Sequence, residues 1–174
     1  VVLIERGVET GGGDQRFALG TLARLSHVVP QEGQIQVVAR GGERFEIVEW
    51  LDDDPYPRAE VRAIPDLEWN DALAPLLEET EGIVRRVLGR ARRFAGTRWD
   101  PDVELSEEPL QRAWQVAAIA PLGDLDQMDL LRSTTLGGLL RATIDLTLAA
   151  EPLLGDPVPD GIILMDDTDG DEDR

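Results

Sequence analysis

The chain has 174 residues, with 35 acidic residues against 17 basic ones, a single histidine and no cysteine, giving a formal charge of −18. Every basic residue is arginine, which removes the phosphate-loop lysine, the Ser-Lys dyad and Schiff-base chemistry together. The missing cysteines exclude disulfides and thiolate catalysis, and His27 alone is no zinc ligand set.

A charge of this sign is repelled by phosphate backbones and by anionic membrane surfaces, so neither nucleic acid nor membrane is an expected partner. No apolar run approaches the ~20 residues of a membrane span, and no basic-then-apolar leader opens the chain. A cytoplasmic protein is expected, as one large domain or two small ones.

Residues 1–4 (VVLI) form a continuous apolar run, as in a strand buried on both faces. Residues 9–14 (ETGGGD) read as a hairpin loop, because the helix and spacing of a phosphate-binding fingerprint do not follow. Residues 17–29 are rich in strand formers, and residues 30–33 (PQEG) carry turn chemistry. Residues 34–39 then alternate, with Ile35, Val37 and Ala39 on one face and Gln34 and Gln36 on the other, as in a half-buried strand. Gly41 and Gly42 break the run; Phe45, Ile47 and Trp50 resume it.

Residues 52–57 (DDDPYP) read as a solvated turn, since adjacent carboxylates do not converge on one cation without other ligands. Residues 58–64 alternate once more through Ala59, Val61 and Ala63.

After Pro65 the apolar period changes from 2 to 3.6. A helix is predicted from near Leu73 to Phe94, with Pro75 in its first turn, acids early and arginines late, as the helix dipole favours. Ser106 followed by Glu107, Glu108 and Pro109 starts a second helix, read as the most buried one and stopped by Pro121. Asp124 caps a short third helix bearing Leu125, Met128 and Leu131. Ser133 or Thr134 caps a fourth, with Leu136, Leu139, Leu140, Ile144 and Leu148 on its core face. From Pro152 the pattern is lost. Residues 162–165 (IILM) precede an acidic end that lacks the glutamate of a calcium loop, so a solvated tail is expected.

Four stretches resemble the substrate-binding domain of the Lon protease family: VVLIERGVETGGGD; RFALGTLARL with its turn and QIQVVARGGERFEI; DDPYPRAEVR; and LQRAWQVAAIAPLGDLDQMDLLR. Gly20, Ala23, Gly41, Arg44 and Phe45 are the most family-like positions, and small stand-alone actinobacterial Lon-domain proteins are the most similar in kind. The resemblance implies an α+β fold: a PUA-like β-subdomain, open or a pseudo-barrel meander, over residues 1–65, then a helical bundle over 66–150 and an acidic tail over 151–174. Family members open with a further strand, a proline-containing loop and a helix that do not precede Val1. The β-subdomain is therefore expected to be open at an edge.

In complete Lon proteases this domain recognises unfolded or damaged protein while separate ATPase and Ser-Lys peptidase modules act on it. The resemblance thus implies a non-catalytic module for unfolded or damaged polypeptide segments, working with a protease or chaperone, with no catalytic residue, no cofactor and no metal. Tyr56, Trp69 and Trp99 lie outside a clear core stripe and are the candidate polypeptide-binding residues. The alternatives are a scaffold for a specific folded partner, a PUA-type RNA binder, and a hydrolase using His27. For the last, strand alternation points Ser26 and His27 to opposite faces.

Overall fold

The apolar period changes once along the chain, and the architecture changes with it. A computed structural model describes residues 1–7, 15–31, 34–52, 56–93 and 97–154. Strands β1 (Val2–Arg6), β2 (Gln15–Gln31), β3 (Gln34–Leu51) and β4 (Arg58–Ala63) are followed by helices α1 (Ala74–Ala91), α2 (Pro109–Ile119), α3 (Asp124–Leu131) and α4 (Leu136–Ala150). Short 3-10 turns at Asp71–Leu73 and Glu151–Leu154 begin and end the helical half. The fold is α+β, with an open antiparallel sheet in the order β1-β2-β3-β4. The whole glycine-rich stretch, the two residues at the β2–β3 tip, Asp53 to Pro55, Phe94 and the whole of 155–174 lie outside the described residues.

The sheet departs from its sequence pattern in four places. The opening run is, among the described residues, an edge strand bonded to β2 alone and half-buried over Val2, Leu3 and Ile4, so it is not buried on both faces. Pro30 belongs to β2, opposite Ile35. Gly41 and Gly42 do not end a strand: β3 runs through them, and the register slips between Thr21↔Arg44 and Ala23↔Gly41, as a β-bulge does. Finally, residues 34–40 are exposed throughout, because among the described residues neither a third strand nor a helix covers this part of β3.

Beyond Thr21 on β2 and Arg44 on β3, the two strands therefore continue as a two-stranded ribbon. The buried residues of the whole sheet are Leu19, Gly20, Arg44 and Phe45.

The helical half holds the core. Leu77, Val84 and Leu88 of α1, Ala113, Val116 and Ile119 of α2, Leu130 of α3, and Leu136, Leu139 and Leu140 of α4 form one buried cluster. The caps differ in detail from the sequence reading. Glu108 caps α2, its carboxylate accepting from the Leu110 and Gln111 N–H groups, while Ser106 Oγ accepts from Glu108 N–H. Gly123 precedes α3, which places Asp124 inside the first turn. Leu130 rather than Leu131 is buried on that helix, and Leu125 is exposed. Thr135, not Ser133 or Thr134, caps α4 through the Gly138 N–H. On α4 the core face continues through Thr143 and Thr147, whereas Leu148 is turned to solvent.

Arg44 joins the two halves. Its guanidinium donates to the carbonyls of Leu131 and Ser133, both at 2.7 Å, and of Pro65 at 3.0 Å. It also lies 5.1 Å from the Trp114 ring centroid. Burial pushes its pKa below the ordinary guanidinium value, opposed by the charge of Asp66. Arginine stays charged under all working conditions even so, and three carbonyl acceptors take three of its five donors.

Candidate functional site

Arg44 and Phe45 are neighbours on one strand, so their side chains leave the sheet on opposite faces. Arg44 turns to the helices, and Phe45 turns to the other face, where an open apolar groove of about 430 Å³ runs across the sheet. β1 contributes Val2 and Ile4 to it; β3 contributes Phe45, Ile47 and Trp50; β4 contributes Ala59 and Val61, with Pro57 just before it.

Two backbone features shape this face. Gly20 pairs with Phe45, and the ring lies across it: a Cβ there would come within 2.5 Å of the ring and 2.6 Å of the Val1 carbonyl oxygen. The register between β3 and β4 slips between Ile47↔Val61 and Glu49↔Glu60. Strict alternation would send Ile47 and Trp50 to opposite faces. The extra residue at Val48 brings both to the groove, and Val48 itself is exposed.

Arg16 closes one end of the groove, its guanidinium 5.0 Å from the Trp50 ring centroid in a cation–π contact. The α-amino group of Val1 is held by the Thr21 carbonyl at 2.8 Å, and the Thr21 N–H bonds back to Val1. The lining residues carry no carboxylate, hydroxyl or imidazole side chain. Such a surface can bury apolar side chains and stack on an aromatic ring. It contains no nucleophile and base pair. Among the described residues, no group of three or more His, Asp or Glu side chains could hold a metal ion. No helix of the described residues is long and apolar enough to cross a membrane.

The three aromatic candidates sit on separate stretches. Tyr56 is exposed between β3 and β4, adjacent in sequence to the groove residue Pro57. Trp69 packs against the helical core, and its indole N–H donates to Asp71 at 2.9 Å. Trp99, in the connector after α1, lies under the Arg98 guanidinium at 5.5 Å. Trp50 was not singled out by the sequence reading. The spacing Phe45, Ile47, Trp50 was the available signal, since a step of three in a period-two strand marks a bulge.

His27 is exposed on the ribbon, opposite Val38. A second slip, between Leu25↔Ala39 and His27↔Val38, makes Ser26 an extra residue, so simple alternation does not separate Ser26 from His27. The Ser26 hydroxyl instead donates to the Val38 carbonyl at 3.0 Å.

The sequence matches the ATP-dependent protease La (LON) substrate-binding domain over residues 1–147. Among solved structures, the N-terminal domain of Mycobacterium avium complex Lon protease is similar at a TM-score of 0.56 and 20% identity, covering 84% of this chain and 76% of that one. A Lon N-terminal domain protein from Xanthomonas campestris aligns with a TM-score of 0.47 and 19% identity, over 75% of this chain and 68% of that one. The search of curated proteins returned no match.

Proposed function

The chain belongs to the LON substrate-binding domain family, and from that premise we propose that it is a non-catalytic recognition module for unfolded or damaged polypeptide segments, with the sheet groove as its binding surface. One observation carries the assignment to the groove: Val2, Ile4, Ile47, Trp50, Ala59 and Val61 form an apolar face that no other part of the described chain covers. Its volume falls within the range of roughly 300–1,000 Å³ typical of ligand sites.

An extended segment suits this shape. Alternate side chains would enter the groove, and the outer edges of β1 and β4, bonded to no further strand among the described residues, offer backbone partners. Tyr56 extends the surface beside Pro57, whereas Trp69 packs against the helical core and Trp99 stays exposed in the connector after α1, both apart from the groove. The absence of catalytic action is supported by a chain without lysine and by a groove without nucleophile or base. A protease or chaperone would act on what the module holds.

The test is fluorescence anisotropy of a labelled, permanently unfolded protein titrated with this chain and with Trp50→Glu. Saturable binding on the order of tens of micromolar is expected, weakened about tenfold or more by a charge in the groove. Equal binding by both proteins would remove the groove from the function. No binding by either, or by a version extended upstream of Val1, would leave a scaffold for a specific folded partner.

A further inference from the structure

The side of the sheet that holds the groove continues beyond it, onto the ribbon. Gly20 lies against Phe45 on that side. Between Thr21 and Arg24 no residue is extra on β2; the extra one belongs to β3, between Gly41 and Arg44. Arg24, four positions beyond Gly20, therefore returns to the groove side, and its cross-strand partner Arg40 shares that side. Four steps of an extended strand put the pair about 13 Å from the level of Gly20 and Phe45. At the other end of the groove stands Arg16.

Arg24 and Arg40 repel each other. Both are exposed, and neither makes an ion pair or hydrogen bond among the described residues. Like charges directly opposite on paired strands are destabilising, and an anion between them turns the repulsion into attraction. The chain has 35 acids, yet the ribbon residues 22–31 and 34–41 include none. Glu43, at the bulge, is the nearest acid in sequence and pairs with neither arginine. Glu46, Glu49 and Glu60 fall by register on the side away from the groove. Charge is thus sorted by face, with apolar residues and arginines on one side and these carboxylates on the other.

We propose that the preferred ligand is an apolar polypeptide segment followed, about four extended residues on, by one or two acids that sit between Arg24 and Arg40. The inference rests on the groove being the binding surface, and it narrows unfolded polypeptide in general to acid-flanked apolar segments. Each guanidinium presents a planar fork of donors that matches a carboxylate. The formal charge of −18 does not prevent this. At physiological ionic strength exposed charges more than about 8 Å away are largely screened, whereas charges in contact still attract.

The test uses the full chain and three labelled peptides of about twelve residues, long enough when extended to reach from the groove to the arginines. All share one apolar stretch of alternating valine and serine, and their flanking positions are glutamate, glutamine or lysine. Anisotropy titrations should rank glutamate above glutamine above lysine, with about fivefold or more between first and last. Arg24→Gln with Arg40→Gln should erase that ranking. Arg24→Glu with Arg40→Glu should invert it, circular dichroism confirming that both variants keep the fold. Equal binding of the three peptides by the native chain would overturn the inference and leave the groove reading standing. An unchanged ranking in the glutamine variant would overturn it as well, by locating the preference elsewhere. Failure of all three peptides and of an unfolded protein to bind would overturn the groove reading, and the inference with it. A single-stranded RNA that binds more tightly than the glutamate peptide, and no longer binds the glutamine variant, would assign the arginines to phosphate and overturn the inference too.

Discussion

Leu139 and Ile35 are both aliphatic residues in regular secondary structure, yet Leu139 has no exposed surface and Ile35 keeps 68% of its own. The contrast extends to their surroundings. The helices bury leucine, valine and alanine against one another in one cluster, whereas the strands bury Leu19, Gly20, Arg44 and Phe45 and leave their other apolar residues half-buried or exposed. A helix needs only one apolar stripe to pack; a single open sheet needs a second layer. Here Arg44 fastens the sheet to the helices over a small area, so a groove on one face and the ribbon beyond it remain available. The buried core lies in the helices, and the uncovered apolar surface proposed for binding lies in the strands.

That division can be broken most severely at its joint. Arg44→Met removes donors from the carbonyls of Leu131, Ser133 and Pro65 and should cost about 3 kcal/mol in urea unfolding. If strand amides then exchange faster while helical amides keep their protection, the helices hold the core alone.

A smaller loss is expected inside the sheet. Gly20→Ala forces a methyl group against the Phe45 ring and the Val1 carbonyl, costing about 2 kcal/mol and lifting β1. Polypeptide binding should weaken with it, since Val2 and Ile4 line the groove.

Within the helices, Glu81 accepts from Arg85 at 2.8 Å and from Arg112 at 2.7 Å. Burial pushes its pKa up, but those hydrogen bonds and charges outweigh it and hold the carboxyl below its ordinary value. A depressed folded-state pKa gives stability that is complete above the unfolded value of about 4.3 and is lost as pH falls through the folded one. Glu81→Gln should therefore cost about 1 kcal/mol at pH 7. Its deficit should shrink progressively below about pH 4, as thermal melts across pH would record.

The smallest effect has the opposite sign. Thr147 is fully buried, and its hydroxyl has no hydrogen-bond partner among the described residues. Thr147→Val should raise stability by about 1 kcal/mol without touching binding.

The helical half was largely legible in the sequence because its periodicity and its core are the same thing: Leu77, Val84, Leu88, Leu136 and Leu139 fall where a 3.6 repeat puts them. Its caps were less so, since glycine, threonine and glutamate all satisfy the same N–H groups and the choice turns on a shift of one residue. In the sheet, alternation identified the strands but not what covered them. Residues 34–39 alternate as a half-buried strand does, yet they are exposed, since no third layer among the described residues covers them. The groove was hidden for a further reason. The bulges at Ser26 and Val48 reset which residues share a face, and no propensity records a one-residue slip. Gly20, Arg44 and Phe45, noticed as family-like, are the residues that join and shape the two halves.

The most direct test of this division of labour is amide hydrogen exchange of the full chain with and without a saturating, permanently unfolded polypeptide. Added protection is expected along β1, residues 45–50 of β3 and residues 57–61 of β4, with the helices unchanged. Protection appearing instead around Trp69 and Trp99, with the sheet unaffected, would contradict the account.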